Sequence, residues 1–350
     1  AETIRRTRQK KVFLAWLSVA MGVCYLILSA GWRIRPAASA DWFIAAFLFL
    51  YTIFFACSGL FHVAFGTLQG KLIRPDLRGR LMSVANVVGV FVAVTAVMVL
   101  LPNWLSGTGA AFDAVFGFSG SCFVAVAVLS LLAREPVDVP IAQADQALGG
   151  VAEVLVALKS DATLRGTALM SAMGSCSIML FPHYQALARE RLELDFTVLL
   201  SWVVIQNIGT AVFSLITGPL ADRYGNRLAL RFVSVGLFLV PLVALWVSHQ
   251  SARSSAWFNS VFFMIGMTPI YIRLVQHYTL ELTSTANHPA YLAAISLCNA
   301  LPFVFSPFIG WLVSSIGFDA VFIGVDLIVL GALLATWFVP EPRNVLAKSN

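Results

Sequence analysis

Ten long apolar runs take up most of the chain and limit what it can fold into. A helix of about 20 apolar residues crosses the roughly 30 Å of hydrocarbon in a bilayer. Only 11% of the residues are charged and 59% are hydrophobic, whereas soluble domains carry about 25% charged residues. The pattern predicts an all-α, polytopic membrane protein with spans at 12–31, 42–66, 81–101, 114–133, 163–183, 196–217, 228–248, 256–281, 290–315 and 320–339.

The remaining composition argues against several other classes of protein. The net charge is +6, but the basic residues sit in short clusters between apolar runs. A nucleic-acid-binding protein gathers them on one polar face, so no nucleic-acid partner is predicted. The five cysteines fall in five different runs without a CxxC pair, which supports neither a disulfide framework nor a zinc site. The sequence has no P-loop, so a process driven by ATP hydrolysis is not predicted. We predict no cofactor and no metal.

The distribution of Lys and Arg predicts an orientation, because these residues favour cytoplasmic loops. With the N-terminus in the cytoplasm, 18 of the 23 Lys and Arg residues lie in cytoplasmic segments. The other five lie in outer loops, namely Arg33, Arg35, Arg189, Arg191 and Arg253. We predict a monomeric integral protein of the plasma (inner) membrane, surrounded by lipid, with both termini cytoplasmic.

The longest loop divides the chain into four spans and six spans. It gives a first bundle at 1–133, a linker at 134–162 and a second bundle at 163–350. Val151, Val154, Leu155 and Leu158 share one helical face at the end of the linker. This segment is predicted to lie flat on the membrane.

The stretch GPLADRYGNRLALR, residues 218–231, makes a tight polar connection between two apolar runs. Gly218 and Gly225 permit sharp turns, and Asp222 can attract the positive N-terminal end of a neighbouring helix. Such a loop can latch two helix ends on the cytoplasmic side and release them when the helices part. An ordinary cytoplasmic loop would explain the arginines but not the spacing of Gly, Asp and Gly.

This stretch resembles the signature loop of the major facilitator superfamily, whose pattern is approximately G-x-x-x-D-R-x-G-x-[RK]. The matching positions are Gly218, Asp222, Arg223, Gly225 and Arg227. The stretch GKLIRPDLRGRLMS, residues 70–83, is similar to the loop that enters the fifth helix in many members. Its basic R-G-R is Arg78, Gly79 and Arg80 here. The REP at 134–136 resembles the end of the sixth helix in such transporters.

The resemblance implies two bundles of six helices, with signature loops after the second and eighth helices. Here the loop follows the sixth span. The ten spans then correspond to the third through twelfth helices, and two further helices are expected upstream. A natural ten-helix transporter of five plus five spans is the alternative, but it does not predict the division into four and six.

Polar residues mark one face of several spans, which indicates a cavity or contacts between helices. The resemblance implies that the seventh, eighth, tenth and eleventh helices line the second half of the transport pathway. Their counterparts here carry the candidates: Ser171, Gly174 and Ser175 with His183 and Tyr184; Gln206, Asn207, Thr210 and Ser214; Arg273, Gln276 and His277; and Asn299, Pro302, Ser306 and Gly310.

Arg273 is the strongest candidate for contact with a solute. It lies eight residues before Glu281, which is about 12 Å at the helical rise. An arginine at that depth could bind a carboxylate or phosphate through two hydrogen bonds, and His277 could carry a proton one turn further on. The alternative is that the membrane ends sooner and Arg273 reaches the surface.

Two further polar residues lie inside apolar runs. Asp326 is a candidate proton-coupling carboxylate, although a structural hydrogen bond is the favoured interpretation because the twelfth helix of the family is peripheral. His62 shares a face with Tyr51 and Ser58. A single histidine on an apolar face is more often a packing residue than a ligand.

These features favour a secondary transporter that moves a small solute by alternating access, with or without a coupling proton or sodium ion. No HExxH, G-x-S-x-G or Cys/His cluster is present, so an enzyme is not predicted. A transporter-like scaffold or sensor is the second alternative, since fold does not fix function.

Overall fold

The computed structural model describes residues 9–34, 41–105, 111–136, 151–193, 198–250, 255–285 and 287–342. All regular structure within these ranges is helical. Nine of the described helical stretches are long and apolar enough to cross a membrane. The prediction of an all-α, polytopic membrane protein is confirmed.

The α-helices follow the predicted spans closely. They are α1 (Lys10–Ile34), α2 (Asp41–Leu72), α3 (Arg78–Leu105), α4 (Phe112–Leu132), α5 (Val151–Ser160), α6 (Ala162–Ser175), α7 (Phe181–Leu192), α8 (Leu199–Tyr224), α9 (Asn226–Ser248), α10 (Ser255–Ile265), α11 (Met267–Glu281) and α12 (His288–Ala335).

Two predicted spans are each built from two helical pieces. A 3-10 segment, Cys176–Leu180, joins α6 to α7, so this span runs on to Leu192 instead of ending at 183. The span at 256–281 consists of α10 and α11, which meet at Gly266. Helix α11 continues to Glu281, as the interpretation of Arg273 requires.

The ninth stretch contains the last two predicted spans. Helix α12 has 48 residues, or about 72 Å at the helical rise, more than twice the thickness of the hydrocarbon. Gly317 interrupts it with φ 83 and ψ 165. A residue with a side chain rarely adopts this backbone conformation. The break lies between the predicted spans 290–315 and 320–339, so α12 comprises two passes.

The described part of the chain separates into two compact units. The first comprises Ala1–Leu72 and Thr95–Glu153. In it α1 packs against both α2 and α4. Tyr25 of α1 stacks on Phe123 at 5.9 Å between ring centroids and meets the edge of Phe54 at 5.1 Å. Much of α2 is exposed and apolar, as expected of a surface that faces lipid.

The second unit comprises Ile73–Val94 and Val154–Asn350. It contains two apolar clusters. One is built around Leu164, Leu230 and Tyr271, and the other around Tyr184, Trp202 and Phe322. These clusters hold α6 to α12 together and thereby fix the positions of the polar residues between them.

The two compact units are bounded at other residues than the bundles at 1–133 and 163–350, which stay a prediction. Residues 73–94 belong to the second unit because the first half of α3 contacts α8. Helix α5 contributes residues to the first apolar cluster. Val154 is 5% exposed within the first cluster and Leu158 packs against it, while Leu155 is exposed. Part of the face assigned to the membrane surface therefore packs against protein.

Asp161 fixes the start of α6. Its Oδ1 accepts hydrogen bonds from the backbone N–H groups of Thr163 at 2.7 Å and Leu164 at 3.1 Å. The Tyr291 hydroxyl donates to Oδ2 at 2.8 Å and so connects α6 to α12. Burial works to raise the pKa of Asp161, but the three hydrogen bonds outweigh it and hold the pKa below its usual range.

Candidate functional site

The signature loop lies between α8 and α9, and its acidic residue caps a third helix. Asp222, in the last turn of α8, accepts hydrogen bonds from the backbone N–H groups of Gly79 and Arg80, both at 2.8 Å. These groups open α3, where the helix dipole is positive and N–H donors lack partners within the helix. The Asp222 side chain is only 6% exposed. This is the helix-end contact that the sequence suggested for Asp222.

Two glycines bring α3 and α8 into close contact beside this carboxylate. A Cβ on Gly218 would overlap the Ser83 Oγ and the Gly79 carbonyl oxygen, and a Cβ on Gly79 would overlap the Gly218 carbonyl oxygen. The Ser83 hydroxyl donates to the Ser214 carbonyl oxygen at 2.6 Å. Small residues allow helix backbones to approach closely inside membranes. We refer to Gly79, Ser83, Ser214, Gly218 and Asp222 as the α3–α8 contact.

The arginines near the signature loop have different surroundings. Arg223 is exposed and lies over the ring of Tyr224 at 5.3 Å. Arg80 is 72% exposed, with its Nε 3.9 Å from the Asp222 carboxylate. Arg78 is buried and donates from Nε to the Ile73 carbonyl oxygen at 3.1 Å. Arg227 donates from Nη1 to the Val339 carbonyl oxygen at 3.2 Å.

Glu341 is a residue of this region that sequence reasoning missed. Its Oε2 accepts a hydrogen bond from the Arg227 backbone N–H, at the start of α9, at 3.2 Å. A Cβ on Gly225, which has φ 92, would meet the Glu341 carboxylate at 2.6 Å. Glu135 has the same role in the first unit, where its two oxygens accept from the backbone N–H groups of Lys10 at 3.0 Å and Lys11 at 2.9 Å.

A repeated dipeptide could have revealed this pair. Glu135 precedes Pro136, and Glu341 precedes Pro342. Each dipeptide follows the last long apolar helix of its unit. The first dipeptide is part of the REP at 134–136, and its recurrence at 341–342 is the signal that points to Glu341.

Polar residues from two predicted stripes meet within the second unit. Asn299 Oδ1, on α12, accepts hydrogen bonds from the hydroxyls of Ser171 at 2.5 Å and Ser175 at 3.1 Å, both on α6. Hydrogen bonds between helices in membranes contribute about 0.6 to 2 kcal/mol each. This contact joins α6 to the first pass of α12.

Arg273 lies on α11 and contacts α3. Its Nη1 donates a hydrogen bond to Asn86 Oδ1, while the residue as a whole remains exposed. Among the described residues Arg273 forms no ion pair with an acidic side chain. A charge at the centre of a membrane helix costs about 2.5 to 3.5 kcal/mol on insertion scales. The second unit therefore keeps a cation inside a span with an amide as its protein partner.

The neighbours of Arg273 on α11 are placed differently from one another. His277, one turn on, is 2% exposed, and its Nδ1 has no hydrogen-bond partner within the described residues. Gln276 is half-buried. On α8, Gln206 is half-buried, and Thr210 donates to the Gly266 carbonyl oxygen at 3.0 Å, holding α8 against the junction of α10 and α11. Asn207 donates to the Val203 carbonyl oxygen of its own helix at 2.8 Å.

The remaining candidates have different surroundings. Tyr184 is 1% exposed in the second apolar cluster, where its ring meets the edge of Phe322 at 5.2 Å. Asp326 is 3% exposed, and its Oδ1 has no hydrogen-bond partner in the described part of the chain. His183 is half-buried near Gly310. His62 is exposed on α2, in the first unit.

The sequence analysis also missed an ionic cluster at the opposite end of the second unit. Arg191 donates to both oxygens of Asp319, from Nη1 at 3.2 Å and from Nη2 at 2.5 Å. His249 Nε2 lies 3.7 Å from Asp319 Oδ1. The charge distribution alone predicts Arg191 only as one of five basic residues in outer loops. The complementary charge of Asp319, two residues after Gly317, is the signal that the sequence offers for this cluster.

The second unit contains a cavity of about 510 Å³. It lies between α6, the 3-10 segment and both passes of α12, and its lining is apolar, including Met173, Pro302, Phe305, Ile309, Val325 and Ile328. No group of three or more His, Cys, Asp or Glu side chains within the described ranges could hold a metal ion.

Comparison with known proteins identifies the family. The family model described as Major Facilitator Superfamily matches residues 4–301 and 204–350. The chain belongs to the Major Facilitator Superfamily. The resemblance inferred from residues 218–231 is thereby confirmed, and so is the interpretation of the chain as a membrane protein of a transporter family.

Solved structures of other members of the superfamily have a similar fold. A bacterial homologue of the iron transporter ferroportin, in an outward-facing state, has a TM-score of 0.73 at 12% identity, covering 97% of this chain and 85% of that one. The proton:xylose symporter XylE has a TM-score of 0.68 at 14% identity, with coverage of 93% and 80%. At these identities the similarity establishes the fold alone.

A curated relative matches over a short stretch. The MFS-type transporter aprT of Aspergillus flavus is 34% identical over 64 residues, which is 17% of this chain and 13% of the relative. The chain thus aligns with a small fraction of that protein's length. The Major Facilitator Superfamily is a family of transporters.

Proposed function

We propose that the protein is a secondary transporter that moves a small solute across the plasma membrane by alternating access, with both termini in the cytoplasm. In such transporters, bundles rock around a site near the middle of the membrane. Membership of the Major Facilitator Superfamily supports transport. The α3–α8 contact supports the conformational mechanism, because it has the form of a latch that can open.

The observation that carries this proposal is the capping of α3 by Asp222. Two backbone donors are satisfied by one carboxylate from another helix, with no covalent link between them. When α3 and α8 separate, water can replace the carboxylate at both N–H groups. The contact thus stabilises one conformation without making it permanent.

A scaffold or sensor is the alternative function, and a vesicle experiment separates the two. The full chain, with its five cysteines replaced and Ser83→Cys introduced, is reconstituted into phospholipid vesicles. Uptake of labelled sugars, carboxylates, phosphates and organic cations is measured against empty vesicles. A membrane-impermeant thiol reagent reports on the opening of the α3–α8 contact.

A transporter is expected to accumulate at least one solute, and that solute should change the labelling rate of Ser83→Cys. If no solute enters above the level of empty vesicles and none alters the labelling, the transport proposal is rejected and the scaffold remains. The xylose symporter among the similar structures is proton-coupled. A pH gradient is therefore the first driving force to test, with a sodium gradient second.

A further inference from the structure

We propose that Arg273, Asn86 and His277 form a binding site for an anionic group of the transported solute, a carboxylate or a phosphate. This inference rests on the transport function proposed above and specifies the charge of its solute. All three residues belong to the second unit, with Arg273 and His277 on α11 and Asn86 on the first half of α3.

Arg273 supplies the positive charge of this site. A guanidinium carries five N–H donors in a planar fork that matches a carboxylate or phosphate. One nitrogen, Nη1, donates to Asn86 Oδ1. Within the described ranges no acidic side chain pairs with Arg273, although the residue is exposed. In the described part of the chain, the charge inside this span thus has donors available and no protein anion opposite them.

Asn86 contributes a second hydrogen-bond donor, and its side-chain oxygen orients the guanidinium of Arg273. Its carbonyl oxygen accepts from Arg273, so its amide nitrogen is the group left for another partner. Asn86 is only 6% exposed, and its Nδ2 has no hydrogen-bond partner among the described residues. A buried donor of this kind is expected to have an acceptor.

His277 adds a third polar group one turn from Arg273. It is 2% exposed, and its Nδ1 has no hydrogen-bond partner in the described part of the chain. The guanidinium groups of Arg78 and Arg273 both act electrostatically on the ring. Glu281 is the next acidic residue along α11, one turn beyond His277.

The shared property of the three residues is an excess of donors over acceptors. Arg273 and the amide of Asn86 can only donate at the positions that remain, and the imidazole can donate from Nδ1 in one tautomer. A neutral hydroxyl could satisfy one donor but would leave the guanidinium charge unbalanced. A carboxylate or phosphate supplies both the negative charge and several acceptor oxygens.

A lipid headgroup carries the same phosphate chemistry as a soluble anion, so the experiment must distinguish the two sources. Gln276→Cys is introduced into the full chain lacking its five native cysteines. The thiol then reports on the potential beside Arg273, three residues away. Its reaction rates with an anionic sulfonatoethyl and a cationic trimethylammonium-ethyl thiosulfonate are compared, both in phosphatidylcholine vesicles and in maltoside detergent without added lipid.

Arg273→Gln is expected to lower the ratio of the thiol's reaction rate with the anionic reagent to its rate with the cationic reagent about tenfold. A local positive potential raises the concentration of anions by about tenfold or more, and this variant removes it. Asn86→Asp keeps the arginine but places a carboxylate beside it, and should lower the ratio similarly. Arg33→Gln is the matched control, because Arg33 pairs with Asp113 in the first unit. It should leave the ratio unchanged. A change of less than twofold in both test variants overturns the proposal.

Inorganic phosphate and succinate serve as the competing probes. Either one should slow the anionic reagent in vesicles and in detergent when Arg273 is present, and neither should do so in Arg273→Gln. If neither anion slows it in either setting but added phosphatidic acid does, the site binds lipid and the solute proposal is wrong.

Uptake measurements separate this inference from the transport function. If a neutral or cationic solute is transported and Arg273→Gln leaves its uptake unchanged, the transport proposal is supported and the anion-site proposal is rejected. The opposite result is that the thiol rates depend on Arg273 and succinate or phosphate slows the anionic reagent, but no solute is taken up. The anion-site proposal is then supported and the transport proposal is rejected.

Discussion

At the scale of single residues, the side chains that matter most are polar groups whose partners lie on other helices. Asp222 reaches α3, Glu341 reaches the start of α9, and Arg273 reaches Asn86. A buried polar group is costly unless it is hydrogen-bonded. Each of these residues therefore couples the position of one helix to another.

Asp222→Asn tests this coupling at the α3–α8 contact. It removes the charge that faces the helix end, which contributes about 0.3 to 1 kcal/mol in exposed settings and up to about 2 kcal/mol in partly buried ones. It also replaces one of the two acceptor oxygens. We expect the labelling rate of Ser83→Cys to rise at least about twofold, since the contact opens more often. Solute binding at equilibrium should change little, while transport slows.

Asp222→Glu is the control, because it keeps the charge and both acceptor oxygens. It should return the labelling rate most of the way to that of the wild type. Normal transport and unchanged labelling in Asp222→Asn would show that the latch assignment is wrong.

At the scale of helices, close backbone approach and hydrogen bonds between passes determine the packing. The α3–α8 contact depends on two glycines without side-chain atoms. Gly218→Ala should separate the two helices and lower stability by about 1 to 3 kcal/mol, because the added methyl group overpacks the contact. Thermal unfolding of the purified protein in detergent measures the loss.

Gly89→Ala is the matched control, since it lies on the same α3 with no neighbouring atom within 4 Å of an added Cβ. It should leave the unfolding temperature nearly unchanged. Equal losses in the two variants would mean that the helical glycines act through chain flexibility and that close approach is unimportant.

Asn299→Ala tests the hydrogen bonds that join α6 to α12. Removal of the amide oxygen leaves the Ser171 and Ser175 hydroxyls without this acceptor. We expect a loss of about 0.6 to 2 kcal/mol in detergent unfolding. Asn207→Ala should lose less, because that amide bonds only to its own helix. A double-mutant cycle with Ser171→Ala gives the coupling directly, and a coupling of zero would contradict the contact.

Several helices could be predicted from hydropathy, whereas their partners could not. Within the described residues, the apolar runs located the membrane-length helical stretches, because the bilayer imposes a length on each one. The two-piece spans at Gly266 and Cys176–Leu180 were missed, since hydropathy does not register a local change of helix geometry. For Asp222 the sequence predicted a helix end but not that the helix was α3, because a contact across 143 positions has no local signal.

At the scale of the whole molecule, the two units use the same local arrangement. A Glu-Pro pair after the last long helix of each unit caps the first turn of another helix in that unit.

Arg273 and Asn299 were predicted from polar stripes and do contact other helices. Tyr184 belongs to an apolar cluster instead. The sequence does not distinguish core from cavity here, because a single polar residue at a helix end forms no periodic pattern.

Glu135→Gln and Glu341→Gln test whether this recurrence is structural. Each change removes a charged helix cap, which should cost about 0.5 to 2 kcal/mol. Because the two carboxylates belong to different units and share none of the partners described here, we expect the double variant to lose the sum of the single losses within about 0.5 kcal/mol. Chemical unfolding in detergent measures all three, and strongly non-additive losses would contradict independent roles.

The residue that caps α3 is synthesised much later than α3 itself. Its first turn is synthesised 143 residues before Asp222, the carboxylate that caps it. At about 5 to 20 residues per second, the ribosome needs roughly 7 to 29 seconds to cover that distance. During this interval the backbone donors of Gly79 and Arg80 must be solvated or held by another acceptor. Helix α3 thus enters the membrane before its capping residue exists, and its amino-terminal end reaches its final bonding only after α8 has left the ribosome.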